Sequence, residues 1–563
     1  MKVADFFCGA GGFSEGFRMA GFEIVLAVDK WSPAIITHEK NHYNSNTINY
    51  DIEALSLLPE KEFEEIVNDT EVIIGSPPCV AFSNSNKSGK GDKSLGITLV
   101  ESYLRIIARK KWKYNSILKY WILENVPNVE TYIKSSYTAS ELKLTQFGFN
   151  EKLELKVKND STGIYNAKYF GVAQNRKRFF CGEFPKPIQT IDEEKDVVPL
   201  KKILSGLGSP AKKSNKSYVT DPNFPSLKIK TLELTDHFYT QEIAKHEWEK
   251  AKRAKRDKGY MGKMAFPENI NNPSRTIMAT MSSSSRESII YGIEGTVNRY
   301  RNPTIREIAA IMSFPLDYNF YGDSILTKYR LVGNAVPPKL SFAFAKEIAI
   351  KEKMPVPVDY LIDNNRILYD PEFTNLNNQT FNPKEEKRKE LNKTRYKYHI
   401  PYLIIDAYRV ELTNYHSDFK NEIFNWNVEI HKGQGKSSKV FFPEEVVIEE
   451  LDSSLRDDIQ NFVNKTVKSI TSSYMLQENY CKTYVEREAN NLVGPDELLD
   501  AIKRYIDYVS ILVGKRYNKP IFTLYEQLIP TEIGIGFLIL NEVVKIICEK
   551  DKEEMSLVAL GEK

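Results

Sequence analysis

Short apolar runs that alternate with helical patterns over the first 185 residues constrain this chain more than any other feature. Residues 3–7 read as a strand and Gly9-Ala10-Gly11-Gly12 as a turn opening a helix through Met19. Residues 23–28 read as a second strand, 32–42 as a helix, 71–74 and 119–123 as further short strands, and 98–111 as the helix before the last of these. Strand, glycine turn, helix and strand in that order predict βαβ units and a mostly parallel sheet, hence an α/β fold. Residues 153–157 alternate with period two, as a half-exposed strand does.

Two places in this pattern carry candidate chemistry. The first is Asp5-Phe6-Phe7-Cys8-Gly9-Ala10-Gly11-Gly12-Phe13, where glycines permit positive φ and close approach of a ligand to the backbone. Its spacing is not that of the dinucleotide fingerprint, so on residues alone it is either a plain turn or a ligand cradle. The second strand ends in Asp29-Lys30-Trp31, and Asp51 follows a third; such acids are ribose ligands or helix caps. The second place is Gly75-Ser76-Pro77-Pro78-Cys79, directly after an apolar strand. Two prolines stiffen the loop that carries the thiol, which suits a nucleophile better than a packing residue. Cys8, inside the glycine turn, reads as structural.

These segments, in this order, resemble those of the DNA (cytosine-5)-methyltransferase family. Asp5 to Phe13 resembles its S-adenosylmethionine turn and Gly75 to Cys79 its nucleophile loop. Glu124-Asn125-Val126-Pro127 resembles the catalytic Glu-Asn-Val motif, and Gln174-Asn175-Arg176-Lys177-Arg178 the Gln-x-Arg-x-Arg motif. Pro303-Thr304-Ile305-Arg306-Glu307 with Phe314-Pro315 resembles the ninth motif, and Gly333-Asn334-Ala335-Val336-Pro337-Pro338 the last. The likeness covers residues 1–350. It implies a Rossmann-like methyltransferase sheet with a smaller recognition domain, to which this chain adds an α+β C-terminal region.

The resemblance also implies roles. Cys79 is the thiolate that adds to cytosine C6, Glu124 the group at N3, Arg178 a contact to the flipped base, and Arg176 a support of the site. Arg176 and Arg178, two apart on an expected strand, would share a face. S-adenosyl-L-methionine is the implied methyl donor, along Phe7, Gly9, Gly11 and Pro77, with Asp29 on ribose, Asp51 at adenine, Trp31 stacking on it, and Asn334 lining the pocket. No metal is implied. The implied partner is double-stranded DNA, bound by a monomer, with a cognate restriction endonuclease system as a further partner. Residues 83–93, polar and basic after the nucleophile, read as a closing loop. An RNA cytosine-5-methyltransferase and a catalytically silent DNA-binding protein of the same fold share these motifs. The basic region between motifs argues against the first, and intact Cys79, Glu124 and Arg178 argue against the second.

The expected layout is a first catalytic part at 1–186, a target recognition region at 187–285, the rest of the catalytic domain at 286–354, a linker at 355–400 and a C-terminal domain at 401–563. The recognition region holds two basic blocks: five lysines and no acid at 201–216, and eight basic residues against Glu247, Glu249 and Asp257 at 245–263. Such blocks supply phosphate contacts and do not specify bases. Beyond 401, β-type runs at 402–412 and 439–448 and helices near 456–470, 495–512 and 531–550 match nothing in the family core. A structural extension, a binding module and a fused nuclease all fit; Asp406 in an apolar strand with Glu429 and Lys432 only loosely echoes a nuclease triad, because Glu429-Ile430-His431-Lys432 has the wrong spacing. His399, His416 and His431 share no metal-ligand spacing. Five scattered cysteines without a C-x-x-C pair, a start without signal-peptide order and no apolar run near ~18 residues point to a cytoplasmic protein.

Overall fold

The computed structural model describes residues 1–78, 94–211, 217–257, 263–363, 366, 370, 372–433 and 439–561. The chain divides into two compact units, one of residues 1–243, 267–283 and 287–382, the other of 244–266, 284–286 and 383–563.

In the first unit, Lys2–Phe6 (β1), Glu23–Asp29 (β2), Asn46–Asn49 (β3), Val72–Gly75 (β4), Tyr120–Asn125 (β5), Gly163–Asn166 (β6) and Lys177–Glu183 (β7) form one sheet in the order β3-β2-β1-β4-β5-β7-β6. The first five are parallel, and β7 runs antiparallel to both β5 and β6. This is the expected Rossmann-like α/β sheet. Both faces are covered, so its central strands are apolar throughout: Val3, Ile24, Val72, Ile74 and Ile122 pack on one side, Ala4, Phe6, Leu26, Ile73 and Leu123 on the other. The chain leaves β1 toward β2 on one side and returns to β4 on the other. A crevice therefore opens at the carboxyl ends of β1 and β4, the place where such sheets bind ligands.

A close helix crossing brings the late motif to that crevice. The helix Gly12–Met19 lies against Pro338–Lys351, and a Cβ on Gly16 would stand 2.3 Å from Ser341 Cβ. Ser341 Oγ donates to the Phe13 carbonyl at 2.6 Å across the same crossing. The ninth motif is a scaffold. Thr304 and Glu307 form a capping box, Glu307 accepts two bonds from Arg301 at 2.8 and 2.7 Å, and fully buried Arg306 donates to the carbonyls of Thr235 and Tyr318.

The second unit contains a four-stranded antiparallel meander, Lys397–His399 (β8), Tyr408–Thr413 (β9), Asn427–Lys432 (β10) and Lys439–Phe441 (β11). Val410, Leu412, Val428 and Ile430 project from one face into a core shared with the helices Ser453–Ile470, Pro495–Leu512 and Thr531–Gly561. These helices fall where the periodicity predicts them. Among the described residues, no helix is long and apolar enough to cross a membrane.

The compact units do not follow the boundaries drawn from the sequence. The first basic block opens the helix Leu200–Leu207, which packs in the first unit through Leu200, Ile203 and Leu207. The second lies on the helix Lys245–Arg256, which folds with the tail instead. Arg253 bonds Asp496 at 2.7 Å and also Asp500, Lys245 pairs with Glu488 at 2.6 Å, and Asp257 accepts from Tyr398 Oη at 3.1 Å and the Tyr402 amide at 2.9 Å. Part of the basic excess read as a phosphate-binding face thus neutralises tail acids, partners too distant in sequence to be seen. The expected linker also divides: Tyr360, Arg366 and Leu376 pack in the first unit, and Arg366 pairs with buried Glu15 and Asp317. A chain ended at residue 382 leaves Arg253, Lys245 and Asp257 without these partners. Limited proteolysis should then cut within 244–266 faster than in the full chain; equal protection would contradict the anchoring.

Candidate active site

The sequence-nominated residues gather at one edge of the sheet. Phe7, Gly9 and Gly11 follow β1, Asp29 ends β2 with Trp31 just beyond, Asp51 follows β3, Pro77 follows β4, and Glu124 is the next-to-last residue of β5. Parallel pairing alone brings these positions, up to 117 residues apart in sequence, to the same side. Cys79 and the expected closing loop at 83–93 lie outside the described residues.

The glycine turn separates two uses of glycine. Phe7, Gly9 and Gly11 all have positive φ, at 57°, 53° and 82°. A Cβ on Gly11 would stand 2.4 Å from Tyr318 Oη, so that glycine serves packing. Among the described residues a Cβ on Gly9 would meet nothing within 4 Å, so Gly9 faces space that ligand atoms can enter. Asp29 holds the turn: its carboxylate accepts from the Gly9 amide at 3.0 Å and the Trp31 amide at 2.9 Å. Burial pushes the Asp29 carboxyl up, against those backbone bonds. Buried Cys8 has a thiol raised well above the usual range by burial, in keeping with a structural role. The Arg330 guanidinium covers the Trp31 ring at 4.8 Å. Asp51 caps the helix Ile52–Ser56, accepting from the Glu53 and Ala54 amides, and meets Lys30 at 3.3 Å.

Glu124 and Arg178 form the charged centre. β5 and β7 pair so that Glu124 lies opposite Phe180, which brings Arg178 Nε to 3.0 Å from Glu124 Oε1. Glu124 is 6% exposed, and burial raises its carboxyl above the usual range although Arg178 and Arg176 pull it down. Arg176 does not share that position. It precedes the strand, so period-two alternation does not govern it, and its guanidinium donates to the carbonyls of Ile277, Gly333 and Ala335 at 3.0–3.1 Å. It ties the closing motif down on both sides of exposed Asn334, which ends the helix Ile325–Asn334.

Two supports escaped the sequence reading. Asn125 Nδ2 donates to the Pro77 carbonyl at 3.0 Å, and its Oδ1 accepts from the Val126 amide at 2.8 Å. The residue after Glu124 therefore pins the loop that leads to Cys79. Beneath the glycine turn, fully buried Asp5 accepts from Ser14 Oγ at 2.7 Å, and Ser14 Oγ also meets His38 Nε2 at 3.1 Å. Asp5 Oδ1 has no hydrogen-bond partner among the described residues, and burial raises its carboxyl to about 8. A lone acid inside the apolar strand 3–7 was the available signal.

The model of the C-5 cytosine-specific DNA methylase family matches residues 1–350. The chain belongs to that family. This DNA methylase is 28% identical to the type II methyltransferase M.MthTI of Methanothermobacter thermautotrophicus over 62% of its own length and 97% of that protein. It is 26% identical to M.NgoPII of Neisseria gonorrhoeae, over 62% of this chain and 95% of that one, and 29% identical to M.DdeI of Desulfomicrobium norvegicum, over 62% and 88%. The match ends near the boundary of the first unit, so the tail of the methylase lies outside the family region.

Replacing Asn125 by Ala frees the Pro77 carbonyl, and the methylation rate should fall by up to about 100-fold with cofactor affinity unchanged; an unaltered rate would remove the positioning role. Asp5 tests the electrostatics beneath the turn. Its folded pKa of about 8 lies above the ordinary 3.8, so folding holds its proton and the stability this contributes is lost as pH rises through that window. Between pH 5 and pH 8 the melting temperature of the wild type should fall more than that of Asp5→Asn; parallel curves would contradict this.

Proposed function

We propose that this methylase transfers a methyl group from S-adenosylmethionine to C5 of cytosine in double-stranded DNA, through a covalent bond between Cys79 and C6 of a base flipped from the helix. The observation that carries the reading is the buried Glu124–Arg178 pair at the sheet edge, beside a Pro77 loop that Asn125 fixes.

Cytosine C5 is a weak nucleophile. Addition of the Cys79 thiolate to C6 forms a C–S bond and moves an electron pair toward C5, dividing one difficult step into easier ones. Negative charge develops on the ring, and Glu124, whose raised pKa favours the protonated form, shares a proton with N3 to stabilise it. Arg178 keeps Glu124 oriented and supplies positive charge beside the base. Once C5 carries the methyl group, its proton passes to a base and the C6–S bond breaks, restoring the ring and the Cys79 thiolate. S-adenosylmethionine, when bound, supplies an electrophilic methyl group. The open backbone at Gly9 and the carboxylate of Asp29 fit it at the switch-point crevice, with Phe7, Pro77 and Asn334 around it, while Gly11, packed on Tyr318, shapes the turn from behind. Asp51 and Trp31 reach an adenosine only with their remaining faces, since Asp51 caps a helix and Arg330 covers the Trp31 ring.

The type II methyltransferases among its relatives support site-specific modification of DNA, protecting it from a partner endonuclease. With labelled S-adenosylmethionine, plasmid DNA should be labelled and tRNA should not. Glu124→Gln should lower the rate by ~10²–10⁴-fold with little change in cofactor binding, and Cys79→Ser should abolish it. Labelled tRNA with unlabelled plasmid, or full activity in Cys79→Ser, would contradict the reading.

A further inference from the structure

The second unit holds a cluster that methylation does not use. On the meander, Glu411 of β9 lies directly opposite Glu429 of β10, and His431 is two residues beyond Glu429 on the same face. Lys397 and His399 of β8 and Arg409 of β9 join that face. The sheet therefore has one apolar face on the helices and one charged face. The charged face is not simply solvated: Glu411, Glu429 and His431 are 7%, 6% and 4% exposed. Glu411 and His431 line a groove of about 530 Å³ together with Lys397, His399, Arg409 and Tyr415, among others.

The donor atoms converge. One oxygen of each glutamate and a ring nitrogen of His431 lie within 4.8 Å of one another. His431 Nε2 is 2.8 Å from Glu429 Oε2 and 3.2 Å from Glu411 Oε2. Arg409 Nε donates to Glu411 Oε1 at 2.6 Å and its Nη1 to the Gly433 carbonyl at 2.7 Å, which fixes that carboxylate with Oε2 turned to the cluster. The Lys397 ammonium sits at 2.7 Å from Glu429 Oε2 and 3.5 Å from Glu411 Oε2, on the two atoms a cation would take. A separate observation concerns the ring itself. His431 Nε2 faces the two carboxylate oxygens, which hold its proton there, while Nδ1 is buried with no hydrogen-bond partner among the described residues. A cation at the carboxylates displaces the Nε2 proton and takes that nitrogen's lone pair, and Nδ1 is free to carry the ring proton instead.

We propose that Glu411, Glu429 and His431 form a binding site for one divalent transition-metal ion, of the manganese or zinc class, that takes the place of the Lys397 ammonium. Two carboxylates and one imidazole suit these ions better than magnesium, which prefers oxygen ligands and retained water. The ion exchanges for Lys397 at the carboxylates and frees a cationic side chain at the groove, next to the metal. An ion and a lysine at an open groove suit an anionic ligand such as a phosphate group. Histidine spacing alone concealed the site, because two of its three ligands are carboxylates and one comes from the neighbouring strand.

The test uses the full-length protein, freed of metal with a chelator and titrated with Mn²⁺ while the free-ion EPR signal is followed, then with Zn²⁺ in competition. Wild-type protein should bind one ion per chain, with Zn²⁺ displacing Mn²⁺. Glu429→Gln and Glu411→Gln should each weaken binding by about tenfold or more. Lys397→Met should do the opposite, tightening binding and giving a larger rise in melting temperature on metal addition, because the competing ammonium is gone. Methylation by each variant checks that the protein is folded. Absence of stoichiometric binding to the wild type, or binding undiminished in folded Glu429→Gln, would overturn the proposal.

Discussion

A carboxyl group buried at the end of a parallel strand must be neutralised or paired, and in this methylase that constraint organises the site. Glu124 is paired with Arg178 only because β7 turns antiparallel beside β5 and sets Phe180 opposite Glu124. Burial still raises the Glu124 carboxyl. The carboxyl therefore keeps a proton more readily than an exposed glutamate does, beside a fixed positive charge. The next residue, Asn125, spends its side chain on the Pro77 carbonyl and the Val126 amide, so one dipeptide sets both the acid and the loop toward Cys79.

The cofactor side of the crevice depends on a different constraint, close approach. Gly16 lets the helix after the glycine turn touch Ser341 of the late helix, and Arg176 clamps the carbonyls of Gly333 and Ala335. Two segments more than three hundred residues apart thereby border one crevice. The polar chain of Asp5, Ser14 and His38 lies under the same turn, where burial holds His38 far below its usual range.

Much of this was legible in the sequence because it is local. The strand–turn–helix rhythm foretells the sheet, and with it that Gly9, Asp29 and Glu124 lie at or just beyond strand ends. What escaped was non-local. Asn125 was read as motif context, yet its partner Pro77 is 48 residues away. Arg176 was expected beside Arg178, but it precedes the strand and binds the closing motif. The basic run at 245–256 looked like a phosphate-binding face until Asp496 and Asp500 of the tail were found on Arg253. Glu411 and His431 were invisible as a cluster for the same reason: sheet register, not spacing, joins them.

The account rests on a covalent bond from Cys79 to a cytosine held beside Glu124. The most direct measurement uses duplex DNA carrying 5-fluorocytosine at the methylated position, where the C5 substituent cannot leave as a proton. Incubated with S-adenosylmethionine, the protein should form a denaturation-resistant complex, and mass spectrometry of its digest should find the nucleotide on the peptide containing Cys79. A complex mapped to another residue, or none with DNA that the enzyme methylates when cytosine is unmodified, would contradict the account.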